Sequence, residues 1–173
     1  MKRFPGIIFL SFIALFAGFM PGSGCSESPL PKHSGPVNDF ADVITPPYEK
    51  RIANIAKELL TKTGVDLFVV TVPDLGGADA KEYGERLYSA WDIGKKGGDK
   101  GLLILTSTKE RKLQIKAGTG LKGILSARQI GEIQDRFVAP YLKQNNYDDG
   151  LLNGVSAIAK IIAKESGVTL KEL

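Results

Sequence analysis

The chain has 173 residues, with 23 Lys and Arg against 19 Asp and Glu, a formal net charge of +4 and one cysteine. A single cysteine excludes any disulfide within one chain. The basic excess is small and partly terminal: without Lys2 and Arg3, 21 basic side chains face 19 acids, a net +2, which gives no reason to expect nucleic acid.

Lys2 and Arg3 precede an almost wholly apolar run, Phe4 to Met20, and Pro21-Gly22-Ser23-Gly24 then breaks any helix just before Cys25. That is the layout of a secretory signal. Cys25 sits where a lipoprotein signal places the residue to be acylated, although no branched apolar residue stands in the Gly22-Ser23-Gly24 box ahead of it. Lipidation of Cys25 is the favoured reading; cleavage without lipid and an uncleaved anchor are the alternatives. Residues 1–24 are thus expected as a lipoprotein-type signal peptide, 25–36 as a flexible tether rich in Pro, Ser and Gly, and 37–173 as one domain with its own core. The implied location is extracytoplasmic, on the periplasmic side. Ser26 in place of an inner-membrane retention aspartate leans toward the outer membrane.

Val37 to Ile44 reads as a partly extended lead-in. Thr45 with Pro46 and Pro47 then opens a helix, with Ile52, Ile55, Ala56, Leu59 and Leu60 as its apolar face and Gly64 as its end. "VDLFVVTV" (Val65 to Val72) is apolar on both faces, as a central strand is. A helix from Asp79 to Trp91 buries Tyr83, Leu87 and Trp91. "GLLILT" (Gly101 to Thr106) is a second central strand, parallel to the first because a helix connects them. The tight "STKER" turn makes "KLQIKA" (Lys112 to Ala117) an antiparallel edge strand, with Lys112, Gln114 and Lys116 facing water. Ser126 and Gln129 form a capping box for a helix buried through Ile130, Ile133, Phe137 and Tyr141 and bent or ended by Pro140. Asp148 and Asp149 start a last helix with the stripe Leu151, Val155, Ile158, Ala159 and Ile162. The expected fold class is α/β, a small mixed sheet with four main helices on its two faces.

Gly118, Gly120 and Gly123 in "IKAGTGLKGIL" spell G-x-G-x-x-G, the outline of a dinucleotide loop. The context is wrong for that ligand: the glycines follow an antiparallel edge strand, and no parallel strand comes after them. No nucleotide cofactor is expected. The bland reading is that Gly118 and Gly120 supply positive φ at the end of the hairpin.

Topology places this glycine corner beside "GKKGGDKG" (Gly94 to Gly101), with Asp66 on the same rim and Asp39 joining it if Val37 to Ile44 runs back along the sheet. The rim then holds Asp39, Asp66 and Asp99 for a hard cation such as Ca²⁺ or Mg²⁺. Lys122 with Gly118, Gly120 and Gly123, aided by Lys95, Lys96 and Lys100, suits a phosphate oxygen. Against this, Asp99 is also a common turn acid, the lysines a common solvated face, and Trp91 a common core residue. The sole histidine, His33, lies in the tether and the sole cysteine outside the domain. Histidine or thiol catalysis is therefore not expected there, and any hydrolysis would rest on metal-held carboxylates, with Asp99 and Lys100 as the catalytic candidates.

Residues 37–162, through "VNDFADVI", Trp91 with Gly94, "GGDKGLLIL", "GTGLKGIL", Pro140, and Tyr147 with Gly150, resemble the TPM domain. That domain is found in a thylakoid-lumen acid phosphatase and in many bacterial envelope proteins. The resemblance implies a three-layer α/β/α sandwich, a divalent-metal site in some members and phosphatase activity claimed for a few. The chain departs at Ala127, where many members have an aspartate. The expected role is a membrane-anchored binding or accessory module of an envelope protein complex; the alternative is a metal-dependent phosphatase acting on phosphomonoesters.

Overall fold

The structure is a computed structural model that describes residues 30–173; the signal segment and Cys25 lie outside the described residues. Four strands form one sheet in the order β1-β2-β3-β4: β1 (Val37–Asp39), β2 (Asp66–Val72), β3 (Gly101–Ser107) and β4 (Lys112–Ala117). The first three are parallel, and β4 pairs antiparallel with β3, with Leu102 opposite Ala117 and Ser107 opposite Lys112. The lead-in therefore contributes a third parallel strand.

Alternate residues of the sheet feed two cores. Leu67, Val69, Leu102, Ile104 and Ile115 pack under helices α1 (Pro46–Thr63), α3 (Ala127–Ile133) and α5 (Tyr147–Glu165), whereas Phe68, Val70, Leu103 and Leu105 pack under α2 (Ala80–Ala90). This is the period-2 alternation of a sheet covered on both faces, and it makes a three-layer sandwich. Gly64 ends α1 in the left-handed conformation at φ 73°. Asp79 caps α2 by accepting from the Lys81 N–H, and Ser126 and Gln129 complete the capping box of α3. Thr45 donates instead to Asp148, from N–H at 2.7 Å and Oγ1 at 2.9 Å, and Tyr48 Oη donates to Asp149 at 2.9 Å. These bonds tie together the N-termini of α1 and α5. Asn146 caps α5, one position earlier than the acids suggest.

Three expectations change. First, α3 continues through a π turn (Gln134–Val138) into the short α4 (Ala139–Leu142). Pro140 has no N–H for the carbonyl four residues back and its ring crowds that carbonyl, so the turn before it widens. The buried position after Ile133 becomes Val138, fully buried, and Phe137 is turned out to 45% exposure. Second, Leu60 at the end of α1 is 47% exposed rather than part of the core face. Third, the segment expected as a free tether is docked from Leu30 onward. The Trp91 Nε1–H donates to the Pro31 carbonyl at 2.9 Å, the Val69 N–H donates to the Pro36 carbonyl at 2.8 Å, and the His33 ring lies 5.1 Å from Trp91 and 5.4 Å from Phe68. Apolar and aromatic contact plus paired carbonyls offsets the entropy of holding a Pro-rich segment, which has little freedom to lose.

Candidate functional site

The glycine corner forms at the amino end of the parallel strands, where β4 ends beside the start of β3. Asp99 is its centre. Gly94 and Gly98 are left-handed, at φ 76° and 70°, and Asp99 follows at 60°, a region Asp tolerates. This turn aims the Asp99 carboxylate at β4. Oδ2 accepts from the Thr119 N–H at 2.6 Å and from Thr119 Oγ1 at 2.8 Å, and Oδ1 accepts from Tyr88 Oη at 2.8 Å. The Asp99 carbonyl accepts from the Gly120 N–H at 3.1 Å. The Thr119 N–H and hydroxyl, then the Tyr88 hydroxyl, hold the Asp99 carboxyl below the ordinary carboxylate range. Burial, with Asp99 next, pushes the Tyr88 phenol up, so it remains a donor.

The glycines serve close approach. Neither Gly118 nor Gly120 has positive φ, which corrects the expectation that they do. A Cβ on Gly118 would lie 2.1 Å from the Asp99 carbonyl oxygen and 2.4 Å from Tyr88 Oη; one on Gly120 would lie 2.3 Å from the Gly98 carbonyl oxygen. Gly123 has open space around it. Gly118 and Gly120 thus let two backbones and a phenol meet at the corner, and Gly123 takes no part.

The expected rim is only partly assembled. Asp66 is there, level with Gly101, and its Oδ2 accepts a long 3.5 Å hydrogen bond from the Gly94 N–H. Asp39 is not. It pairs with Thr71 at the carboxyl end of β1, five residues along the sheet from Asp66, about 17 Å away. The lead-in runs parallel to β2 rather than back along it, so the three acids do not converge. Among the described residues no group of three or more His, Cys, Asp or Glu is placed to hold a metal ion. The Asp39 carboxylate receives the Thr71 hydroxyl and the N–H groups of Val43 and Ile44, at 2.9 and 2.8 Å. It caps the turn into α1.

The lysines separate as well. Lys95 pairs with Asp92, whereas Lys96, Lys100 and Lys122 make no ion pair among the described residues. Lys95 and Lys96 open onto a cavity of about 640 Å³ together with His33, Leu60, Phe68, Trp91 and Asp66. Asp99 faces another cavity, of about 320 Å³, with Tyr88, Lys116, Gly118 and Thr119. Lys116 is not a bare edge residue: its Nζ lies 3.7 Å from Glu85 and 6.0 Å from the Tyr88 ring centroid.

Two features escaped the sequence. Tyr88 lies on the α2 stripe, one position after Leu87, and its phenol had no visible partner until β4 was placed. His33 reaches the domain only because the segment before β1 docks. At the other end of the sheet, Thr71 is level with Thr106, whose Oγ1 is buried without a partner. Glu49 nearby is raised above its ordinary range, by burial first and then by the charges of Asp39 and Asp42.

The fold has counterparts. No curated protein matches the chain. The solution NMR structure of the N-terminal domain of a protein from P. gingivalis is 24% identical, covers 76% of this chain and 84% of that one, and superposes with a TM-score of 0.71. The N-terminal domain of the cg2496 protein from Corynebacterium glutamicum is 18% identical over 78% of this chain and 84% of that one, with a TM-score of 0.59. The BA42 protein from the psychrophilic bacterium Bizionia argentinensis is 17% identical over 70% and 82%, with a TM-score of 0.62. At these identities the likeness is one of fold. The TPM domain itself matches residues 37–161, from β1 through the glycine corner and into α5, and the chain belongs to that family.

Proposed function

We propose that this TPM-domain chain is an extracytoplasmic accessory module, anchored to a membrane through lipid on Cys25, that docks a protein partner of the cell envelope. One observation carries the reading. A groove of about 400 Å³ runs between the π turn and α5, lined by Ile133, Phe137, Ala157 and Ile161. Phe137 is 45% exposed there, held out by the widened turn. A large aromatic side chain in a concave apolar strip is what an amphipathic partner helix seats against. Of the charged side chains on the walls, Glu132 is paired with Arg128, whereas Arg136 and Lys160 make no ion pair among the described residues, which favours a partner with acidic flanks. The Asp99 corner supports the same reading from the other side. Its carboxylate is committed to three hydrogen bonds that close the fold, a use that needs no substrate.

The test is a photo-crosslinking residue placed at 137 in cells, with Lys57 on exposed α1 as the control position. A discrete product from 137 and none from 57 supports docking; equal, diffuse labelling at both positions sinks it.

A second reading, a metal-dependent phosphatase, draws on the carboxyl end of the parallel strands. Ligands of open α/β sheets sit at such ends, and Asp39, Thr71 and the unpartnered Thr106 hydroxyl line up there. The set Asp39, Asp66 and Asp99 does not fit one cation, because Asp39 lies at the opposite end of the sheet from the other two. Hydrolysis of a phosphomonoester that requires added Mg²⁺ or Ca²⁺ and is lost in Asp39→Asn would establish it, and amide shifts with Ca²⁺ would locate the ion.

A further inference from the structure

We propose that the face formed by Trp91, Leu60, Lys95 and Lys96 lies against the headgroups of an anionic lipid bilayer. The proposal rests on the anchoring reading above and adds an orientation to it.

Chain length decides the orientation. If residues 25–36 were free, the anchor would sit on a leash of roughly 40 Å, as long as the domain is wide, and any face of the domain could meet the bilayer. The docking of Leu30 to Pro36 removes that freedom. Leu30 and Pro31 sit against Ala90 and Trp91, and the Pro31 carbonyl is fixed by the Trp91 indole. Only Ser26 to Pro29 separate Leu30 from Cys25. Five residue steps span about 17 Å at most. A domain of this size is about 37 Å across, so the leash is shorter than half its width. The end of this docked strap, at Leu30, must stay next to the membrane, and the α3–α5 groove lies across the sheet from Trp91.

The chemistry of the strap end suits that position. Trp91 is half-buried with its ring open to the cavity, and Leu60 at 47% exposure stands on the cavity wall. An indole and an exposed aliphatic side chain beside lysines is the composition of a membrane–water interface. The acids facing this surface are Asp92, bound to Lys95, and Asp66, set back in the cavity; Lys32 and Lys96 are exposed and make no ion pair among the described residues. The free charge offered outward is positive, which draws anionic headgroups.

Trp91 is the only tryptophan in the chain, so its emission reads this contact directly. The full chain, expressed with its leader and recovered from membranes, is first weighed intact to establish whether Cys25 carries lipid. It is then reconstituted into vesicles of phosphatidylcholine alone or with phosphatidylglycerol, each also prepared with brominated acyl chains. The expected result is a blue shift and quenching of Trp91 that strengthen with phosphatidylglycerol. In Lys95→Glu/Lys96→Glu the quenching falls to the phosphatidylcholine level, while Lys112→Glu, at the start of β4 and the other end of the sheet, leaves it unchanged. Emission that is the same in both vesicles and in detergent, or quenching indifferent to the Lys95/Lys96 reversal, overturns the proposal. An unacylated Cys25 overturns the anchoring reading instead; phosphatidylglycerol vesicles added to that protein still decide the surface by the same quenching.

Discussion

One carboxylate oxygen of Asp99 receives both the backbone N–H and the hydroxyl of Thr119, at 2.6 and 2.8 Å, and so fastens the loop leading into β3 to the end of the edge strand. The other oxygen takes the Tyr88 phenol from α2, so one side chain joins three elements. Asp99→Asn keeps the left-handed backbone but turns one oxygen into an N–H₂ that faces donors. The expected cost is about 1 kcal/mol, partial exposure holding it at the low end, read as a lower urea midpoint with unchanged m-value. The pH dependence has a fixed sign. The folded carboxyl is depressed, so its contribution is complete above the unfolded value near 4 and is lost as pH falls through the folded value. Asp99→Asn flattens the acid limb of the stability curve below about pH 4.

The two flanking glycines separate close packing from phosphate binding. Gly118→Ala drives a methyl group to 2.1 Å from the Asp99 carbonyl oxygen, with backbone rather than a flexible chain in the way. A loss of about 3 kcal/mol or more is expected. Gly123→Ala meets open space at negative φ and stays within about 0.5 kcal/mol of the parent. Equal losses at both positions by denaturant unfolding would mean the corner is not what the glycines serve.

Much of this could be read before the fold was known, where the signal was local or periodic. Two strands apolar on both faces, a five-residue polar turn and a capping box at Ser126 and Gln129 each carry their own physics. Together they were enough to bring Asp99 beside Gly120. What failed was non-local. A three-residue strand such as β1 has too few positions to show a period, and its direction decides which pole Asp39 occupies. Pro140 acts on the turn before it, shifting burial from Phe137 to Val138, a displacement that a 3.6-residue count cannot register. The docking of Pro31 depends on one indole sixty residues away.

Glu58 gives a second electrostatic test, remote from the corner. The Lys62 ammonium at 2.7 Å, followed by the Lys171 N–H, holds its carboxyl at about 2. Side-chain ¹³C titration should find Glu58 still ionised when other exposed acids have protonated. Lys62→Ala should return it toward its ordinary 4.5. Because the folded value is depressed, the contact to the C-terminal segment is present above the unfolded value and weakens as pH falls toward 2. The Lys171 and Glu172 amide signals should therefore move in the same acid window. If they shift near neutral pH, the assignment of the bond is wrong.

The π turn makes the last prediction, which bears on both fold and docking. Val138 is fully buried among the α5 side chains, close enough that a Cβ on Gly154 would lie 2.6 Å from its methyl group, while its neighbour Phe137 stands 45% exposed. Size alone ranks Phe137→Ala as the more damaging change; burial reverses the order. Val138→Ala should cost about 2 kcal/mol through the void it leaves, and Phe137→Ala less than about 0.5 kcal/mol. Pro140→Ala restores an N–H that can bond to the Arg136 carbonyl, favouring a regular α turn that would rotate Phe137 inward and Val138 outward. Phe137 ring signals should then lose their contact with added solvent relaxation agents, and crosslinking through position 137 should fall with them. Unfolding curves for the two alanine variants and relaxation data for the Pro140 variant decide the matter. A Phe137→Ala loss as large as that of Val138→Ala would place the aromatic ring in the core and empty the groove of its docking side chain.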